Sequence, residues 1–225
     1  MILMNDFKAE PPELREGMLK GASRVLESGW YVLGNEVKHF EEQWSRVCGV
    51  SHGIGVGNGM DAIELALLGL SIGAGDEVIT TPMTAFATIL AIIRCGAKPV
   101  LADIDSETAL LSTESVRRCL SAKTKAVVLV HLYGQVRQMD EWVIMCGENK
   151  IMLIEDCAQA HQATWQGKVS GSFGQAGAYS FYPTKNLGAV GDAGMLVTSN
   201  STLAKKARQL RNYGQSERYL HPVIG

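Results

Sequence analysis

The stretch from Lys125 to Asp156, KAVVLVHLYGQVRQMDEWVIMCGENKIMLIED, decides the fold. Two short apolar runs, AVVLV and IMLI, bracket a segment, MDEWVIMCGEN, with the spacing of a helix. Strands joined in this way pair in parallel through a right-handed crossover. Their unbroken apolar character suits strands covered on both faces. The same alternation runs upstream. GIGVG, DEVITT and KPVLADI read as strands; MDAIELALLGL, AFATILAIIRCG and STESVRRCL read as helices. Downstream, GAYSFY and GMLVTS form a strand pair around a loop that carries Lys185, and STLAKKARQLRNYG forms a last helix. Before Gly53 stand two amphipathic helices. One runs from Pro12 to about Glu27 with Leu14, Met18, Leu19, Val25 and Leu26. The other carries Val37, Phe40, Trp44 and Val47. The prediction is an α/β protein with a mostly parallel central sheet flanked by helices. An N-terminal helical segment occupies residues 1–50, and the large domain residues 51–225.

At 225 residues the chain can build one good core, or a core plus part of a second. Apolar residues are 46% and charged residues 20%, with a formal charge of -2, so neither a nucleic-acid surface nor a basic membrane patch is indicated. The start lacks the pattern of a signal peptide, and no apolar run is long enough to span a bilayer. The five cysteines are odd in number and show no CxxC pairing, which argues against a disulfide framework or a zinc site. Buried free thiols in a cytoplasmic protein are the expectation.

Four short stretches carry candidate chemistry, each with a plainer alternative. In GVGNGMDAIELAL (55–67) a glycine-rich turn enters a helix that Asn58 can cap. The amides of Gly59, Met60 and Asp61 then face outward, where a phosphate is the natural guest; the alternative is a tight turn. In IMLIEDCAQAH (151–161), Asp156 ends a parallel strand, at the edge where open α/β sheets bind ligands. It could equally cap the turn carrying Ala158 to Ala160, and Gln159 and His161 are as ambiguous. In YSFYPTKNLGAVGDAG (179–194), Lys185 follows Ser180 and precedes Gly188, Gly191 and Gly194. Partial desolvation there makes an amine nucleophilic; the alternative is a solvated loop lysine. In TTPMTAFATILAI (80–92), Phe86 near a helix start can stack on a planar ligand or join the core.

Together, a phosphate cradle, a buried acid and a confined lysine are what pyridoxal 5'-phosphate (PLP) requires. The motifs SGWYVLGNEVKHFEE, GVGNGMDAIELAL, GDEVITTPMTAFAT, GAKPVLADID, IEDCAQAH, YSFYPTKNLGAVGDAG and LRNYGQ stand in an order that resembles the DegT/DnrJ/StrS sugar aminotransferases, which have the aspartate aminotransferase fold. The resemblance covers nearly the whole chain. It implies that Lys185 bonds the cofactor covalently and then moves a proton, and that Asp156 pairs with the pyridine nitrogen. It further implies that Gln159 bonds the phenolic oxygen, and that Gly59, Met60 and the Ser180 hydroxyl hold the phosphate. The implied reaction moves an amino group, from glutamate, to a nucleotide-linked keto-sugar in a homodimer. SGWYVLG and GNGMDA lean toward members that act on 3-keto sugars.

The chain departs from the family in three places. Met60 stands where threonine is frequent. Ala85 replaces the aromatic that follows the residue equivalent to Thr84, so Phe86 becomes the candidate stacking residue. The family also continues past HPVIG into a smaller C-terminal domain, so the chain shown is expected to be a fragment or a naturally short form and a poor catalyst alone. The alternatives are a PLP-dependent sugar dehydratase, against which Lys185 argues because the relatives that dehydrate carry histidine there, and a non-catalytic binding protein of the same fold.

Overall fold

The computed structural model describes residues 5–225; residues 1–4, the start of the expected helical segment, lie outside the described residues. In chain order the elements are α1 (Pro12–Ser28), α2 (Asn35–Cys48), β1 (His52–Val56), α3 (Gly59–Gly69), β2 (Glu77–Thr80), α4 (Phe86–Arg94), β3 (Lys98–Leu101) and α5 (Thr113–Cys119). They continue with β4 (Thr124–Val130), α6 (Met139–Glu148), β5 (Met152–Asp156), β6 (Thr164–Trp165), β7 (Lys168–Val169), β8 (Ala176–Ser180), β9 (Gly194–Thr198) and α7 (Ser201–Leu210).

Seven strands make one sheet in the order β1-β9-β8-β5-β4-β2-β3. The five from β3 to β8 are parallel, as the alternating pattern requires. β9 turns back antiparallel to β8, so the strand pair around the lysine loop forms as expected, and β1 then pairs antiparallel with β9. β6 and β7 form a separate small hairpin.

Period-two alternation feeds two apolar layers. Val128, Ile154, Ala178 and Leu196 face one side, under α3, α4 and α7. Val127, Leu129 and Leu153 face the other, against Val116 of α5 and Trp142 and Met145 of α6. On that same side Trp44 of α2 packs on Tyr179, Phe181, Met195 and Val197. Side-chain caps start α3 and α7: Asn58 Oδ1 accepts from Asp61 N at 2.9 Å, and Asn200 Oδ1 from Leu203 N at 3.1 Å. Gly29 (φ 65°) and Gly49 (φ 69°) close α1 and α2 in the left-handed region.

Two expectations change. The strand read as KPVLADI stops at Leu101, and only Ile104 continues, as a lone bridge to Leu111. The apolar stripe of α1 is helical as expected, yet none of that helix is buried: Leu19 and Leu26 are each 66% exposed. All five cysteines are free; four are buried and Cys119 half-buried. Burial pushes the Cys48 thiol up to about 11 and Cys146 up to about 12, so neither is nucleophilic at neutral pH. No helix among the described residues is long and apolar enough to cross a membrane.

Candidate active site

The parallel strands end together on one edge of the sheet. β5 brings Asp156 there and β8 brings Ser180, one strand over. Asp156 is buried. Its Oδ1 accepts the Ala158 amide at 3.1 Å, so the turn-capping alternative is realised. Its Oδ2 accepts the Thr88 hydroxyl at 2.8 Å, and Thr88 in turn pairs with the Thr84 hydroxyl at 2.8 Å. Burial pushes the Asp156 carboxyl up. The Thr88 hydroxyl, the Ala158 amide and then the charges of Lys185 and His131 oppose that shift without cancelling it. Among the described residues no salt bridge reaches this carboxylate, so a cation placed against it would relieve its desolvation.

Helix α3 points its N-terminus at the same edge. The Asn58 side chain takes the Asp61 amide, so that amide is not free to meet an anion, contrary to expectation. Gly59 and Met60 remain in the first turn, where a helix has no carbonyl of its own to offer them. A Cβ on Gly59 would lie 2.8 Å from the Ser180 Cβ, and one on Gly194 would overlap the Asn58 carbonyl. Glycine at both positions is what lets α3, β8 and β9 converge.

The lysine loop, between β8 and β9, is internally bonded. Lys185 N donates to Tyr182 O at 2.8 Å, Ala189 N to Phe181 O at 2.7 Å, and Phe181 N to Ala193 O at 2.8 Å. Lys185 itself is half-buried, and its charge is felt at both Asp156 and His161. His161 shares a 3.0 Å hydrogen bond with the Ser180 carbonyl through Nε2 and sits among the rings of Trp44, Tyr179 and Phe181. Burial first, and Lys185 as well, lower its pKa, so the ring is neutral at pH 7.

Gln159 follows Asp156 by one turn, and its Oε1 accepts the Tyr133 amide at 2.8 Å. Phe86, the first residue of α4, is 67% exposed, so it belongs to no core. The structure thus brings Asp156, Lys185, Ser180 and Gly59 to one edge. Thr88 and the Tyr133 amide were not singled out in the sequence; the Thr84–Thr88 spacing at a helix start was the one available signal for the former.

One buried cluster has metal-ligand chemistry. A ligand atom each from His131, Glu155 and Cys157 lie within 4.8 Å of one another. Glu155, however, accepts amides from Gly171, Phe173 and Gly174 at 2.8 Å each, together with His131 Nε2 at 2.9 Å. Burial also holds the Cys157 thiol well above its usual range. The cluster is accounted for as hydrogen-bonded core.

Residues 12–225 match the model of the DegT/DnrJ/EryC1/StrS aminotransferase family. A Geobacillus stearothermophilus protein named "Pleiotropic regulatory protein" is 42% identical over 99% of this chain and 60% of its own length. The UDP-N-acetyl-3-dehydro-alpha-D-glucosamine 3-aminotransferase of Acidithiobacillus ferrooxidans is 40% identical over 100% of this chain and 61% of its own. The crystal structure of S. venezuelae DesV in complex with a ketimine intermediate superposes with a TM-score of 0.94 at 41% identity, covering 98% of this chain and 59% of that one. The chain therefore spans about 60% of the length of these relatives. It belongs to the DegT/DnrJ/EryC1/StrS aminotransferase family.

Proposed function

We propose that this chain binds PLP and serves a transaminase that moves an amino group, from glutamate, to a nucleotide-linked keto-sugar of the 3-keto class. The observation that carries the reading is the buried Asp156 at the carboxyl edge of a parallel sheet, close enough to Lys185 to feel its charge, in a chain of an aminotransferase family. The donor set fits the cofactor. The desolvated carboxylate suits a protonated ring nitrogen, the first-turn amides of α3 held close to Ser180 suit a phosphate, and Lys185 lies near enough for its charge to act on Asp156.

Bound PLP supplies an electrophilic aldehyde and an electron-accepting ring. Lys185 Nζ would be the amine that bonds this aldehyde and, once freed, the base that would carry a proton between the substrate carbon and the cofactor. Asp156, its two oxygens fixed by Thr88 and the Ala158 amide, would hold the ring nitrogen protonated. Gln159 would meet the phenolic oxygen. Gly59, Met60 and the Ser180 hydroxyl would hold the phosphate, and Phe86, exposed at the start of α4, would be available to stack on the ring. The 3-keto class rests on the Acidithiobacillus relative's name and on the SGWYVLG and GNGMDA motifs.

We also propose a homodimer. The apolar face of α1 and the loop after it, with Leu19, Leu26, Trp30, Tyr31 and Val32 all more than half exposed, form the surface a second copy would cover. The function is tested by half-reactions on the PLP-loaded protein. L-Glutamate should convert the visible band to the amine form, and a nucleotide-linked 3-keto sugar should restore it. A band that glutamate leaves unchanged would count against transfer.

A further inference from the structure

We propose that the loop after β4 presets Gln159 as a hydrogen-bond donor, and that His131 is the positioning residue that anchors this loop; the inference rests on the PLP reading above. The Tyr133 amide at 2.8 Å can be met only by the oxygen of the Gln159 side chain. With Oε1 so engaged, the planar amide turns its other end, Nε2, away from Tyr133. That end can only donate. Gln159 therefore faces a ligand as a donor, the polarity a phenolate oxygen needs.

The loop is shaped for this task. Tyr133 has φ 57° and Gly134 φ 77°, two consecutive left-handed residues, of which the tyrosine is strained. A Cβ on Gly134 would lie 3.2 Å from the Gln159 carbonyl oxygen, so the bend packs directly on the turn it holds. At its start His131 N donates to Asp156 O at 3.0 Å, and His131 Nε2 meets Glu155 Oε2 at 2.9 Å. Both side chains are fully buried. The Glu155 oxygens also accept three backbone amides, so His131 Nε2 is the donor in that pair. At its far end Gln135 Nε2 donates to Thr108 O at 3.1 Å. A strained bend persists when both ends are tied, and His131 ties the end nearer Gln159.

The test is the pH titration of the visible band in PLP-loaded protein. The titratable groups facing the site are Asp156 on β5, His161 after it, Lys185 in its loop and the buried His131–Glu155 pair. A donor on the phenolic oxygen spreads its negative charge; without one, that oxygen is more basic and the midpoint rises. Gln159→Leu should raise the midpoint by about 1 pH unit, the equivalent of one hydrogen bond. His131→Phe should raise it similarly, whereas His131→Gln, whose amide N–H replaces Nε2–H, should stay near the parent. His131→Phe should add nothing to Gln159→Leu. If His131→Phe does not fold, Gly134→Ala, which presses on the same turn from the half-buried side, should behave as it does. The proposal is overturned if these variants leave the midpoint unmoved, or shift it equally with and without Gln159. A parent with no visible band overturns the PLP reading itself.

Discussion

A buried carboxylate such as Asp156 is costly until something positive meets it, and this cost is measurable. The folded-state pKa of Asp156 lies above its unfolded value, chiefly because of burial. The folded chain therefore holds this proton more tightly, and stability falls as pH rises from the unfolded pKa through the folded one. Asp156→Asn keeps an acceptor for the Ala158 amide and removes the charge. Calorimetry of cofactor-free protein at pH 7 should show the variant melting above the parent, by about 2–4 °C per kcal/mol of relieved desolvation. The gap should close near pH 3, below the ordinary carboxylate pKa of about 3.9. A variant that melts lower at pH 7 would contradict this ordering of effects. The same substitution should weaken PLP retention, measured by dialysis. Asp156 and Lys185 were legible in the sequence because each sits at a pattern boundary, one ending an apolar run and the other enclosed by glycines. Thr88 and the Tyr133 amide were not. They reach Asp156 and Gln159 across 68 and 26 residues of chain, and no local spacing encodes such a meeting.

The elements were largely legible because hydrophobic period distinguishes covered strands from amphipathic helices. The direction of β1 was not, since a strand of five residues has the same pattern either way up. What places the site is the convergence of three element ends at glycines. Gly59→Ala should force α3 off Ser180, and Gly194→Ala should force β9 off Asn58. Each should cost about 1–3 kcal/mol in urea denaturation, as overpacking does. Gly59→Ala should in addition weaken PLP binding at least about tenfold, the equivalent of ~1.4 kcal/mol. A Gly59→Ala protein with unchanged affinity would show that the α3 terminus does not touch the phosphate. Helix α1 teaches the opposite lesson. Its spacing correctly encoded a helix, but periodicity says only that a face is apolar, not whether this chain covers it.

For the whole molecule, that uncovered face becomes a prediction. Leu19→Glu with Leu26→Glu touches no buried position, so the folded stability of the separated chain should change by less than about 0.5 kcal/mol. Sedimentation should show self-association weakened; an unchanged dimer would place the contact elsewhere. The chain covers nearly all of its own length in the family and about 60% of its relatives'. PLP should be added to the parent and to Lys185→Ala, each reduced with borohydride and digested, and the labelled peptide identified by mass spectrometry. The account predicts a pyridoxyl group on Lys185 in the parent and no visible band in the variant. The same band in Lys185→Ala, or a label on another lysine of the parent, would contradict it.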